Sequence, residues 1–223
     1  HMKLNKNNVL KKAQGLRDKG VTFILNTKVT KETVDKEISN NFDAVLVATG
    51  AQNPRDIKID GRHYDNIYFA MEYLTDNTKH LLDGTPLKID AKGLSVVVIG
   101  GGDTSNDCVA TAISQGAKSV RQLEMQAKRE DQKKAYYDFN EDEVRLYEKT
   151  AVRFLDCDGC VSKIVTDNVQ VIRDEHGTKI EFQEDHGEMD ADLVLVAIGF
   201  LGPLDEALDA FDIKLDREVH NRD

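Results

Sequence analysis

The feature of this sequence with the clearest chemistry is a run of three glycines between an apolar stretch and a helical pattern. The apolar stretch, residues 96–99, is typical of a buried parallel strand. Glycines permit a tight turn and let the backbone approach a bulky anion, and a following helix offers unpaired N–H groups and a positive dipole end. The segment therefore predicts a site for the diphosphate of a dinucleotide. The residues expected to hold it are Gly100, Gly101, Gly102, Asp103, Thr104 and Ser105.

Two residues of this segment depart from the usual dinucleotide pattern. Ser105 occupies a position where glycine or alanine usually lets the helix pack closely on the strand. The carboxylate of Asp103 should repel a diphosphate, so we interpret it as a helix cap that faces away from the ligand. A strand–turn–helix that binds no ligand is the structural alternative to a nucleotide site.

Composition and charge narrow the range of partners. The chain has 223 residues, with 40 acidic and 30 basic side chains and a net charge of −10, which argues against nucleic acid and anionic membranes as partners. No apolar run approaches the roughly 20 residues of a membrane span. Residues 3–17 are too polar for a signal peptide.

The cysteine count indicates a reducing compartment, and we expect a cytoplasmic protein. Three cysteines are too few for a disulfide scaffold. Cys157 and Cys160 have the spacing of a redox dithiol or of half a zinc site, but Asp158 and Gly159 between them form a strong hairpin-turn signal. We interpret the segment as a turn, with redox chemistry as the alternative. The histidines are scattered, and we predict no metal site.

Two segments nearly repeat each other in the pattern D-x-V-L-V-A-x-G, at residues 43–50 and 192–199. Each predicts a fully buried strand ending in a glycine, and open α/β sheets bind ligands at the carboxyl ends of their strands. Two related nucleotide-binding units explain this repetition, although only the second carries a glycine-rich loop. We expect cofactor contacts, with simple strand termination as the alternative for the glycines, at Thr49, Gly50, Gly199 and Phe200.

The periodicity of the chain predicts an α/β protein, a Rossmann-like dinucleotide-binding domain with a small antiparallel β meander. Predicted helices cover residues 7–19, 68–75, 104–115 and 143–149. Predicted strands cover residues 21–25, 44–48, 96–99, 119–123 and 151–155, and one more begins at residue 193. The meander is expected at residues 161–165, 169–173 and 179–183, and residues 126–140 are interpreted as a solvated helix or loop.

Several motifs taken together in this order resemble the small subunit of glutamate synthase. They lie at residues 42–50, 54–56, 70–74, 77–79, 100–104, 107–108 and 197–203. The resemblance implies two interleaved dinucleotide domains, the second inserted into the first. Residues 3–53 would form part of an FAD-binding domain, residues 54–199 an NAD(P)H-binding domain, and residues 200–223 the truncated start of the return to the FAD domain.

The resemblance also implies an oxidoreductase that serves glutamate biosynthesis in nitrogen assimilation. Hydride would pass from NAD(P)H to FAD, and electrons would continue through iron–sulfur clusters to the large (alpha) subunit of glutamate synthase. There 2-oxoglutarate and glutamine-derived ammonia become glutamate. We predict no catalytic side chain, because hydride passes directly between the two cofactors.

Some parts of the resembling family have no counterpart in this chain. These are the cysteine-rich cluster domain, the FAD diphosphate loop and a later Gly-Asp segment that contacts FAD. We therefore expect a fragment that neither binds FAD tightly nor turns over by itself. A stoichiometric flavin absorbance in the purified chain would contradict this expectation.

The choice between NADH and NADPH depends on Glu124, which ends the second strand of the nucleotide unit. An acidic residue about 20 positions past the glycine loop usually binds the ribose 2′-hydroxyl and repels a 2′-phosphate. Lys128 and Arg129 follow closely and could clamp a phosphate, or they could be solvated surface charges. The acidic residue favours NADH, since NADPH users of the resembling family tend to carry paired arginines there.

Three other interpretations remain open. A related FAD/NAD(P)H electron-transfer protein, dihydropyrimidine dehydrogenase-like or ferredoxin-coupled, would share the paired domains. A thioredoxin reductase would use Cys157 and Cys160, although in that family the dithiol precedes the glycine loop. A non-catalytic nucleotide-binding module would use the same loop and would contact a partner through residues 126–140.

Overall fold

The computed structural model describes residues 4–128, 139–174 and 177–214. The chain divides into two compact units: unit 1 comprises His1–Asn53 and Leu201–Asp223, and unit 2 comprises Pro54–Phe200. In chain order the elements are α1 (Lys6–Arg17), α2 (Lys31–Thr33) with the π-helical turn Val34–Ile38, β1 (Asn53–Pro54), β2 (Ile67–Phe69), α3 (Ala70–Asp83), β3 (Ser95–Ile99), α4 (Asp103–Gln115), β4 (Ser119–Glu124), α5 (Glu141–Val144), β5 (Arg145–Tyr147), β6 (Lys149–Cys157), β7 (Cys160–Asp174), β8 (Gly177–Asp190), β9 (Leu193–Val196), β10 (Phe200–Gly202) and α6 (Asp205–Ala210).

Unit 2 is built on a five-stranded parallel sheet in the order β2-β9-β3-β4-β5. Its central strands are runs of aliphatic residues because both of their faces are covered. Alternate side chains of β3 and β9 pack with the helices α3 and α4, namely Val96, Val98, Leu193 and Leu195. The intervening side chains pack against the antiparallel sheet, on Phe154, Val161 and Ile164. Unit 2 therefore has three layers and a core on each face of the parallel sheet, which confirms the predicted α/β class.

The strand–turn–helix at the glycines forms as the sequence predicts. The strand β3 is buried along its whole length, and α4 follows the glycines directly. The helix ends at Gly116, whose φ of +85° is the left-handed conformation of a glycine cap. The strands expected at residues 119–123 and from residue 193 are β4 and β9, so four neighbouring predictions are confirmed together.

The antiparallel sheet consists of β6, β7 and β8 in chain order. The hairpin between β6 and β7 pairs Cys157 with Cys160 around a two-residue turn. Asp158 and Gly159 have φ values of +55° and +84°, as a type I′ turn requires, so the turn interpretation is confirmed. The strands of the meander differ from the expected ones, because residues 161–165 and 169–173 belong to a single strand, β7, and the strand expected at residues 151–155 joins the same sheet as β6.

Two strands predicted in unit 1 are absent, and both predictions were wrong. Residues 21–25 and 44–48 have no regular secondary structure and pair with no strand in the part of the chain that is described. Val45 and Leu46 are 49% and 89% exposed. An apolar run becomes a buried strand only where neighbouring strands satisfy its backbone groups, and no described strand pairs with either of these two runs. The helix expected at residues 7–19 is confirmed as α1.

Three smaller differences concern element boundaries in unit 2. The helix expected at residues 68–75 begins at Ala70, since the preceding residues pair with β9 as β2. The helix expected at residues 143–149 is wrong: α5 ends at Val144 and the chain enters β5, paired with β4. Most of the segment 126–140 lies outside the described residues. Among the helices that the structure describes, none has both the length and the apolarity to cross a membrane.

Candidate functional site

Gly100 makes the turn between β3 and α4 possible. Its N–H donates to the carbonyl of Leu123 at 2.9 Å, and its φ of +121° is one that side chains rarely allow. A Cβ at this position would overlap the carbonyl of Ala197. The ends of β3, β4 and β9 meet so closely here that the protein itself requires glycine, whatever ligand binds nearby.

Gly102 lies in the opposite environment, beside open space. Its φ of −80° and ψ of −176° suit any residue, and a Cβ built there has no heavy atom within 4 Å. Gly102 is the N-cap of the 13-residue helix α4 and caps it without a side chain. The open space therefore adjoins a helix N-terminus, where unpaired N–H groups and the dipole favour an anion.

The capping role expected for Asp103 is wrong. Because the glycine turn ends at Gly102, Asp103 is already the first residue of α4, and it is exposed at the helix terminus. Thr104, the next residue, is half-buried. A carboxylate in the first turn stabilises the helix through its dipole, but it adds negative charge where a diphosphate would bind.

Glu124 lies at the same edge of the sheet as the glycines. A Cβ at Gly101 would overlap the Glu124 carboxylate, so this side chain covers the backbone of the turn. Its Oε1 accepts a hydrogen bond from the N–H of Gln126 at 2.7 Å, which fixes the carboxylate in place. Lys128 is exposed, and Arg129 lies outside the described residues.

A buried polar network lies beneath the turn, and the sequence interpretation missed it. Gln122 and Arg145, from the paired strands β4 and β5, are 0% and 4% exposed. Gln122 Nε2 is 3.0 Å from the Gly100 carbonyl and 3.0 Å from the Ser105 hydroxyl. The available signal was Gln122 itself, because a glutamine in a strand that is covered on both faces must find hydrogen-bond partners.

The other expected contact residues are divided between the two units. Gly199, exposed and with a φ of +94°, follows the carboxyl end of β9, and its carbonyl accepts from the N–H of Arg55 at 2.9 Å. Phe200 is half-buried and begins β10. Thr49 and Gly50 belong to unit 1 and are exposed on a segment without regular structure.

The remaining candidate groups do not form a second reactive site in the described ranges. Cys108 is buried in α4, and burial raises the pKa of its thiol far above the ordinary value, so it is not a nucleophile at neutral pH. Cys157 and Cys160 are free thiols on the β6–β7 hairpin. No group of three His, Cys, Asp or Glu residues comes together as a metal site in these ranges.

The strand order of the parallel sheet reverses direction at the glycine turn. The chain leaves β3 towards β4 on one side, whereas β9 and β2 lie on the other side. In open parallel sheets such a reversal of strand order leaves a crevice at the carboxyl ends, where nucleotides bind. Gly102, Glu124 and Gly199 all follow or end strands at this edge.

Comparison with known proteins agrees with this geometry. The family model described as pyridine nucleotide-disulphide oxidoreductase matches residues 5–220. The chain belongs to this family of oxidoreductases. In fold it is similar to Mycobacterium tuberculosis FprA in complex with NADPH, with a TM-score of 0.54 and 16% identity over 74% of this chain and 51% of that one.

Within the pyridine nucleotide-disulphide oxidoreductases, the chain is similar to curated glutamate synthases. It is 35% identical over 96% of its length to the glutamate synthase [NADPH] small chain of Bacillus subtilis, of which it covers 48%. It is 36% identical over 97% of its length to the glutamate synthase [NADH] of Schizosaccharomyces pombe, of which it covers 12%. The chain thus spans about half or less of these relatives.

The residues present fit a nicotinamide dinucleotide but not FAD. The open space beside Gly102 and the terminus of α4 can receive a diphosphate. In unit 1, the described residues form no strand that leads through glycines into a helix, and Thr49 and Gly50 lie on an irregular segment. A family member needs such a turn to hold the FAD diphosphate, so we derive no step through FAD from these residues.

Proposed function

We propose that this chain binds NAD(P)H as the nucleotide-binding part of a glutamate synthase small subunit. The observation that carries the proposal is the position of Gly102, which faces open space at the N-terminus of α4. The same edge of the sheet carries an acidic residue at the end of β4 and a glycine after β9. The similarity to two glutamate synthases supports the choice of this enzyme within the family.

Each part of the site has a role in this proposal. The N–H groups at Gly101, Gly102 and the first turn of α4 hold the diphosphate, with Thr104 and Ser105 behind them. Glu124 accepts a hydrogen bond from the adenosine ribose, and Arg129 lies beyond it in sequence. Gly199 and Phe200 border the nicotinamide end. These groups bind and orient the dinucleotide, and hydride transfer then depends on position rather than on an acid or base of the protein.

The remaining steps of the proposed function belong to the whole protein. FAD supplies the hydride acceptor when it is bound, and Thr49 and Gly50 belong to the part of the chain assigned to its domain. In the whole protein, iron–sulfur clusters would carry the electrons to the large subunit, in the cytoplasm, for glutamate synthesis. The domain assignment is residues 3–53 and 200–223 for FAD and residues 54–199 for NAD(P)H.

We further propose that NADH is the preferred dinucleotide. A fixed carboxylate at Glu124 can accept from a ribose 2′-hydroxyl, whereas it repels the charges of a 2′-phosphate. The names of the two relatives differ on this point, one specifying NADPH and the other NADH. The preference therefore rests on Glu124.

The test is calorimetric titration of the 223-residue chain with NADH and with NADPH, for the wild type and Gly102→Val. A Cβ at this position has no heavy atom within 4 Å, so we expect the change to cost about 0.5–2 kcal/mol of stability, as for other changes at an N-cap. The added valine fills the space assigned to the diphosphate, and we expect it to abolish binding at millimolar nucleotide.

Gly15→Val is the matched control, because Gly15 in α1 also faces open space with an ordinary φ. We expect this variant to bind NADH as the wild type does. Equal binding by Gly102→Val, or no binding of either nucleotide by the wild type, would contradict the proposed function.

A further inference from the structure

In the buried network beneath the glycine turn, Arg145 fixes the orientation of the Gln122 carboxamide. A guanidinium has only donors, so the Arg145 Nε, at 2.8 Å, must meet the oxygen of the Gln122 carboxamide. The nitrogen of that carboxamide is thereby turned towards the glycine segment. A glutamine without this neighbour could rotate and present its oxygen to the same groups.

The oriented carboxamide holds two carbonyl groups of the turn. Gln122 Nε2 donates to the Gly100 carbonyl directly. It also donates to the hydroxyl of Ser105, which in turn donates to the Gly102 carbonyl at 2.6 Å. Ser105 is fully buried, so the departure from glycine or alanine at this position supplies a hydrogen bond rather than a steric obstacle.

Arg145 also holds the first turn of α4. Its Nη2 donates to Asn106 Oδ1 at 2.5 Å, and Gln122 Nε2 lies 3.2 Å from the same oxygen. The guanidinium thus joins the edge strand β5 to β4 and to the helix whose terminus adjoins the open space. Its positive charge is buried on the protein side of a proposed anion site.

We propose that Arg145 is a positioning residue of the dinucleotide site. Through Gln122, Ser105 and Asn106 it keeps the carbonyls of the glycine turn directed into the protein. A carbonyl oxygen turned outward would repel a diphosphate, whereas inward carbonyls leave the N–H groups to face it. The inference rests on the proposed nucleotide binding at this turn, and it adds a residue outside the segment 100–105 that supports the turn.

The test compares Arg145→Met and Arg145→Lys with the wild type. Hydrogen bonds to a charged group are the stronger ones, so we expect Arg145→Met to raise the NADH dissociation constant at least about tenfold. Arg145→Lys keeps the charge but cannot reach both acceptors with a planar fork, and we expect a rise of about threefold. Arg121→Met makes the same change on β4 outside the network, and we expect unchanged affinity.

Amide hydrogen exchange separates positioning from general stability. The N–H groups of Gly100 and Asn106 are hydrogen-bonded at the turn, and that of Val161 in β7, away from the turn, donates to the carbonyl of Asp65. We expect Arg145→Met, or Arg145→Lys if the methionine variant does not fold, to accelerate exchange at the first two and leave Val161 unchanged.

Two results would overturn the inference. One is NADH affinity within about twofold of the wild type for both Arg145 variants, a difference too small for a lost charged hydrogen bond. The other is exchange accelerated equally at all three amides, which indicates general destabilisation. If the wild type itself fails to bind NADH, the proposed function fails, while the exchange pattern still decides whether Arg145 holds the turn.

Discussion

At the end of β4, the Glu124 carboxylate lies against the backbone of Gly101 and accepts from the N–H of Gln126. Its position is therefore set by the main chain on both sides of it. A carboxylate held in this way cannot move aside to admit a second negative group without losing a hydrogen bond. Discrimination between the two nicotinamide dinucleotides should accordingly reside in the charge of this single side chain.

Glu124→Gln tests this role. Removing the charge keeps the shape of the side chain and relieves its repulsion with a 2′-phosphate, which is worth about 1 kcal/mol in a wet site. We expect the affinity for NADPH relative to NADH to rise about five- to tenfold. Fluorescence titration with the two reduced dinucleotides measures both dissociation constants.

Asp103→Asn is the control for a general effect of charge. Asp103 lies at the terminus of α4, near the proposed diphosphate, which both dinucleotides share. We expect this variant to strengthen both affinities by the same factor and to leave their ratio unchanged. If the ratio of the NADPH and NADH affinities changes as much in Asp103→Asn as in Glu124→Gln, Glu124 does not distinguish the ribose 2′-hydroxyl from a 2′-phosphate.

At the scale of elements, the two repeats of D-x-V-L-V-A-x-G adopt different structures, a buried strand in one case and an exposed irregular segment in the other. Leu195 is 0% exposed in β9, whereas its counterpart Leu46 is 89% exposed. The difference arises from neighbours, since β9 lies between β2 and β3 while residues 44–48 pair with no described strand. The same eight-residue pattern therefore stabilises the protein in one place and not in the other.

Leu195→Ala and Leu46→Ala form a matched pair for this difference. We expect Leu195→Ala to lower the free energy of unfolding by about 2–5 kcal/mol, because it leaves a cavity in the core. We expect Leu46→Ala to change it by no more than about 0.5 kcal/mol. Urea unfolding followed by circular dichroism measures both. A similar large loss for Leu46→Ala would mean that residues 44–48 form a buried strand.

The elements that the sequence predicts correctly carry their own local signals. Residues 96–99 of β3 are a continuous run of β-branched residues, the glycines mark the turn, and Gly116 marks the end of α4. The Asp158-Gly159 pair likewise specifies its hairpin without help from distant residues. In each case the information lies within a few neighbouring residues.

The elements that the sequence analysis missed depend on distant partners. The strands β2 and β5 have three residues each and exist because they pair with β9 and β4. Arg145 and Gln122 are 23 residues apart, so their contact, and with it the support of the glycine turn, is not visible in any local pattern. The strand predictions at residues 21–25 and 44–48 were wrong for the converse reason. Their local sequence pattern is that of a strand, but no described strand pairs with them.

At the scale of the whole molecule, unit 2 contains everything that the proposed site needs. Residues Pro54–Phe200 include the cores on both faces of the parallel sheet, the glycine turn, Glu124 and the Arg145 network. We therefore expect a polypeptide of residues 54–200 to unfold cooperatively and to bind NADH within about twofold of the 223-residue chain. Thermal unfolding by circular dichroism and calorimetric titration check the two parts.

Gly102→Val in the shorter polypeptide provides the control for specific binding. We expect it to unfold as the parent does and to lose NADH binding. A shorter polypeptide that folds but binds NADH much more weakly than the whole chain would mean that unit 1 contributes to the site.

An NMR titration can observe, residue by residue, whether the glycine turn at the carboxyl end of β3 binds the dinucleotide. The measurement follows the backbone amides of the ¹⁵N-labelled chain during addition of NADH. We expect the largest shift changes at Gly100, Gly101, Gly102, Ser105 and Glu124. Saturable changes confined to another surface, such as the β7–β8 hairpin, would contradict it, as would a spectrum that NADH leaves unchanged.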